Sequence, residues 1–120
     1  MNSKAIASYR TQQVSAASPE KQAALLMEAG QVHLFRAIVA IQDKKYNDLS
    51  KALNTLCDIL DEASSRLDYN SPNELVDNLS TIYIGWRYKL IDIAKTKNIS
   101  TLELMSTQFG EIKKAWEQVK

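Results

Sequence analysis

The chain has 120 residues, 45% of them apolar, which fits one globular domain around one core. Lys plus Arg number 15 and Asp plus Glu 14, and the net charge of +1 excludes a general attraction to nucleic acid or anionic lipid. Cys57 is the single cysteine, so an intrachain disulfide is excluded and a reducing compartment fits.

Residues 1–17 read as an arm ahead of a bundle domain spanning 18–120. The arm is polar and small, with isolated large apolar residues at Ile6, Tyr9 and Val14. Such a segment has no core of its own. Its apolar residues dock on the rest of the protein, stay in water, or compete with a partner for one groove. A short helix near Ser3–Arg10 is compatible with this. The opening Met1-Asn2-Ser3-Lys4 lacks the apolar core of a signal peptide, and no uninterrupted apolar run approaches the ~20 residues of a membrane span. The expectation is a cytoplasmic protein without stable membrane insertion.

Both prolines follow a serine, at Ser18-Pro19 and Ser71-Pro72. Serine is a good N-cap and proline suits the first helical position, so these prolines open helices. The first long helix is predicted from Pro19 to about Asp43. Leu25, Leu26, Ala29, Val32, Leu34, Phe35, Ile38 and Ile41 spread over much of its circumference. Such a helix is central, or offers a second face to something else. The second helix starts near Asn47 and stops before Asp68. Leu49, Leu53, Leu56, Leu60, Ala63 and Leu67 alternate steps of four and three, which buries one face and leaves the other wet.

The third helix opens with a candidate capping box, Ser71 to Glu74. Its stripe is Leu75, Leu79, Ile82, Trp86, Leu90 and Ile93, widened by Val76, Tyr83 and Ile91. It ends near Lys95–Asn98, where cations suit the negative end of the helix dipole. A second candidate box, Ser100 to Glu103, opens the fourth helix, whose stripe is Leu102, Met105, Phe109, Ile112, Trp116 and Val119. Gly110 lies inside that helix and permits a close helix contact. Four long helices with short connections predict an all-α, antiparallel up-down four-helix bundle with an N-terminal arm or short extra helix.

No constellation of catalytic residues emerges. His33 is the single histidine and has no Glu-x-x-His pairing of the kind a bundle metal site needs. Cys57 has no base assigned to it by spacing. Asp58, Asp61 and Glu62 fall on the face opposite the second helix's apolar stripe, which is a solvated face. Gly-rich phosphate loops, GxSxG elbows and HExxH pairs are missing. The expectation is a protein that is not an enzyme, with no cofactor, metal or small-molecule substrate and no nucleic-acid partner. Tyr83, Trp86 and Tyr88 cluster on the third helix with Arg87 and Lys89. They fit core packing or a binding edge, since Tyr and Trp are common interface anchors.

The order Tyr9-Arg10-Thr11-Gln12-Gln13-Val14, then Ala17-Ser18-Pro19-Glu20, resembles the opening of the FliS family of flagellin-specific export chaperones. The resemblance runs along the chain. Leu56-Cys57-Asp58-Ile59-Leu60 and Ser64-Ser65-Arg66-Leu67-Asp68 are similar to the family's second long helix. Tyr83 matches the first Tyr of the family's Tyr-rich stretch, and Lys89-Leu90 and Ala94 fit its Arg-Arg-Leu and Ala. Ala115-Trp116 matches the usual Ala-Trp. Two departures mark the chain as divergent. Leu26-Met27-Glu28-Ala29 stands where the family often has Leu-Tyr-Asp-Gly, and Tyr83-Ile84-Gly85-Trp86-Arg87 where it tends to have Tyr-x-Tyr-x-Tyr.

The resemblance implies a cytoplasmic export chaperone that binds the disordered C-terminal segment of flagellin. It implies that this prevents premature polymerisation and aids delivery to a component of the flagellar type III export gate. On that reading Leu25, Leu26, Ala29, Tyr83, Trp86 and Leu90 contribute to the client groove, and Ile6, Tyr9 and Val14 form an arm that covers it. The alternative is a helical adaptor or export chaperone for a non-flagellin client, which the same stripes would serve.

Overall fold

The computed structural model describes residues 17–68, 70 and 74–118. Ile6, Tyr9 and Val14 of the predicted arm, Ser71 of the predicted capping box and Val119 lie outside them. Among the described residues the secondary structure is four α-helices and no strand: α1 (Pro19–Gln42), α2 (Tyr46–Ser65), α3 (Glu74–Thr96) and α4 (Ile99–Gln118).

The helix ends reflect local chemistry. Ser18 caps α1 by accepting from the Lys21 N–H at 3.2 Å, and Pro19 takes the first turn. At the other end Lys44 turns left-handed with φ 56°. The Lys44 N–H reaches the Ile41 carbonyl at 3.1 Å, and the Lys45 N–H reaches the Ala40 carbonyl at 2.9 Å. These bonds are the Schellman closure, with lysine in the position that glycine usually takes. Lys97, with φ 53°, turns left-handed just beyond α3. Helix α4 begins one residue before the predicted box. Asn98 is the cap, its side-chain oxygen accepting from the Thr101 N–H at 3.2 Å.

Helix α1 packs against both α4 and α2, and α2 packs against α3. The predicted α2 stripe is buried throughout, from Leu49 to Leu67. In α3 the buried set is Leu79, Tyr83, Trp86, Leu90 and Ile93. Leu75 and Ile91, predicted on that stripe, point outward instead. The α1–α4 contact is close because two glycines lie in it. A Cβ on Gly30 would overlap the Phe109 ring. One on Gly110 would come within 2.9 Å of the Gln31 side-chain nitrogen, which donates to the Ser106 carbonyl at 3.0 Å.

Aromatic side chains close the side between α3 and α4. Trp86 stacks on Phe109 with ring centroids 4.2 Å apart. Its indole N–H donates to the Gln108 side-chain oxygen at 3.0 Å, and that of Trp116 to the Tyr83 hydroxyl at 3.3 Å. Each large amphipathic ring thus buries its body and keeps its polar tip satisfied.

Candidate client-binding surface

A protein that holds a helical client needs apolar surface that its own fold leaves uncovered. Helix α1 has it. Its inward side carries Ala24, Met27, Leu34 and Ala37, all fully buried. Its outward side follows a second set of four-and-three steps through Leu25, Ala29, Val32, Arg36 and Val39. Val32 is 47% exposed and the adjoining Phe35 is 66% exposed, while Leu25, Ala29 and Val39 are half-buried. This double-sided pattern explains why α1 is long and apolar enough, by composition alone, to cross a membrane. One apolar side faces the bundle and the other faces out.

Beside this face, between α1 and α2, lies an open depression of about 470 Å³. Phe35, Val39, Ala40 and Ala52 give it apolar walls. Arg36, Lys45 and Lys51 alternate with Asp43 and Asp48 among its lining residues. The rim therefore offers charges of both signs within reach of a polar client edge.

The predicted groove residues divide into two groups. Leu25 and Ala29 lie on the outward face of α1, and Leu26 is half-buried and packs against the core. Tyr83, Trp86 and Leu90 are buried in the core. They sit there because α3 turns that stripe toward α2 and α4, where Trp86 meets Phe109 and Tyr83 meets Trp116. The structure does not bring them to the α1 face. Val32, Phe35 and Val39, which sequence reasoning did not select, do belong to it. The signal was present in the width of the apolar pattern on the first helix.

The chemistry of the remaining groups is quiet. Burial pushes the Cys57 thiol above its ordinary value, against the pull of the nearby Arg87 guanidinium. A thiol held protonated is a poor nucleophile. Arg87 pairs with Asp61 at 2.9 Å, and that hydrogen bond raises its already high pKa. Among the described residues no three His, Cys, Asp or Glu side chains gather as a metal site would require.

Comparison with curated proteins gives no match. The family model described as "Flagellar protein FliS" matches residues 1–120, the whole chain. On that match, and with a four-helix architecture built as the resemblance implies, the chain belongs to the FliS family of flagellar proteins.

Proposed function

We propose that this protein binds the disordered C-terminal segment of flagellin as an amphipathic helix laid along the outward face of α1. Family membership implies a flagellar export chaperone, and a cytoplasmic one rather than an enzyme. The segment, the surface and the delivery of the client to the export gate are the finer reading. The observation that carries it is the uncovered apolar side of α1, with Phe35 at its most exposed point.

The physics is helix-in-groove recognition. A polymerising subunit's terminal segment lacks its helical partners before assembly, and α1 stands in for them. Covering ~500 Å² of apolar surface gives a gross gain of about 12 kcal/mol. Association and ordering of the client offset most of it. The remainder is an affinity suited to holding a subunit and releasing it at the gate. Leu25, Leu26 and Ala29 contribute to this contact, with Val32, Phe35 and Val39. Tyr83, Trp86 and Leu90 support it from the core.

The arm fits the same scheme. Residues 1–16 could reach about 55 Å fully extended, and the 24 residues of α1 measure about 36 Å. The arm enters the bundle at Ser18, so its reach covers the whole client face. Ile6, Tyr9 and Val14 are the residues that would compete with flagellin there.

Calorimetric titration with a peptide of the flagellin C-terminus tests this. Phe35→Asp weakens binding by about thirtyfold, the worth of one hot-spot aromatic. Its melting temperature stays unchanged, because Phe35 is exposed. Removal of residues 1–17 tightens binding. Unchanged affinity in Phe35→Asp rejects the α1 face, and unchanged affinity with a much lower melting temperature after truncation rejects competition by the arm.

A further inference from the structure

Helix α3 carries a second seam that its own bundle does not use. Asp77, Thr81, Ile84, Tyr88, Ile91 and Lys95 succeed one another at steps of four, three, four, three and four, and all six are exposed. The middle three form an apolar ridge: Ile84 is 52% exposed, Tyr88 70% and Ile91 50%. This is the heptad spacing of a coiled-coil interface. It lies on the outward side of α3, away from the buried Leu79, Trp86 and Leu90.

We propose that this seam pairs with itself, joining two copies of the chain through antiparallel α3 helices. In an antiparallel pair each a position faces a d position of the other helix. One register satisfies every layer. At the centre Ile84 meets Tyr88 of the second copy, and Tyr88 meets its Ile84. Thr81 and Ile91 face each other on both sides of that centre. At the two ends Asp77 meets Lys95 of the second copy. The apolar centre is thus closed at each end by opposite charges. A parallel pair would set Asp77 against Asp77 and Lys95 against Lys95, so the charge pattern selects the antiparallel one.

The flanks of the seam agree with a close approach. In this register Gly85 lies opposite Gly85 of the second copy on one side, and Ser80 opposite Ala94 on the other. Gly85 is unfavourable in mid-helix relative to alanine. A Cβ there would meet nothing within 4 Å, so the fold of a single chain has no need of it. The one like-charge juxtaposition is Arg87 with its own counterpart. Each guanidinium is held against α2 by Asp61, at 2.9 and 3.4 Å, so its charge is compensated within its own chain. The seam is on α3 and the proposed client face is on α1, and α1 packs chiefly on α2 and α4 rather than on α3, so pairing uses none of the residues of that face.

Charge exchange tests the register. In sedimentation velocity the wild-type chain, 13.5 kDa as a monomer, forms a reversible species of twice that mass at low ionic strength. Asp77→Lys and Lys95→Asp each weaken pairing about tenfold or more, by replacing two attractions with two repulsions. An equimolar mixture of the two variants pairs again, because each end then joins opposite charges, and the double variant pairs with itself. These residues are exposed, so circular dichroism of each variant remains that of the wild type. A chain that stays monomeric up to about 1 mM, a range that detects even a millimolar dissociation constant, overturns the proposal. So does pairing that the single exchanges leave unchanged or that the mixture fails to restore. Flagellin binding is measured separately through α1, so a failure of this pairing and a failure of the chaperone reading are distinguishable.

Discussion

Three glycines in mid-helix occupy three different situations. Gly30 is required by packing, because the Phe109 ring fills the space where its Cβ would be. Gly110 is crowded only by the end of the Gln31 side chain, which can move. Gly85 faces open space. Alanine therefore has opposite effects at the first and the last. Gly30→Ala costs about 2 kcal/mol by overpacking the α1–α4 contact. Gly85→Ala adds about 1 kcal/mol of stability in dilute solution, from helix propensity alone. Urea unfolding of both variants checks the signs, and a stabilised Gly30→Ala would contradict the packing described for Phe109. Sequence reasoning anticipated a close approach at Gly110 and missed the tighter one at Gly30, because a glycine's neighbour across an interface is set by packing and not by spacing.

At the scale of elements, strong periodicity was legible and competing periodicities were not. The α2 stripe has one apolar residue at each step, and all of it from Leu49 to Leu67 is buried. In α3, Ile82 and Tyr83 are neighbours, and either continues a four-and-three pattern through Leu79 and Trp86. Burying Tyr83 gives its hydroxyl the Trp116 partner, a long-range bond that spacing alone does not reveal. The start of α4 shows the same limit locally. Asn98 and Ser100 are both good caps, and the box Ser100 to Glu103 is the more conspicuous pattern. The backbone begins its helix at Ile99, so Asn98 holds the cap. Asn98→Ala consequently costs about 1 kcal/mol, while Ser100→Ala lies within about ±0.5 kcal/mol as an exposed substitution of a residue already in the helix. Thermal melts of the two variants separate these values, and a larger loss at Ser100 would contradict the assigned helix start.

At the scale of the molecule, two clusters of uncovered apolar surface fall on two different helices, α1 and α3. Helix α1 packs on α2 and α4 and leaves Val32 and Phe35 exposed, while α3 packs on α2 and leaves Ile84, Tyr88 and Ile91 exposed. The overall architecture was legible because few turn-forming residues, 3 Gly and 2 Pro, leave long helices with short connections, and Ser18-Pro19 opens α1 as predicted. The candidate site was legible only in part. The breadth of the apolar pattern on α1 signalled a second face, but the aromatic cluster of α3 drew attention to residues that serve the core. An aromatic residue at helical spacing satisfies a core and an interface equally well, and only the direction in which the helix faces its neighbours separates the two.

Binding along α1 is tested most directly by titrating the isotope-labelled protein with the flagellin C-terminal peptide and following amide chemical shifts. The largest changes are expected on α1 at Leu25, Ala29, Val32, Phe35 and Val39, spreading into the depression toward Ala52. Changes confined to α3, or no changes at saturating peptide, would contradict it.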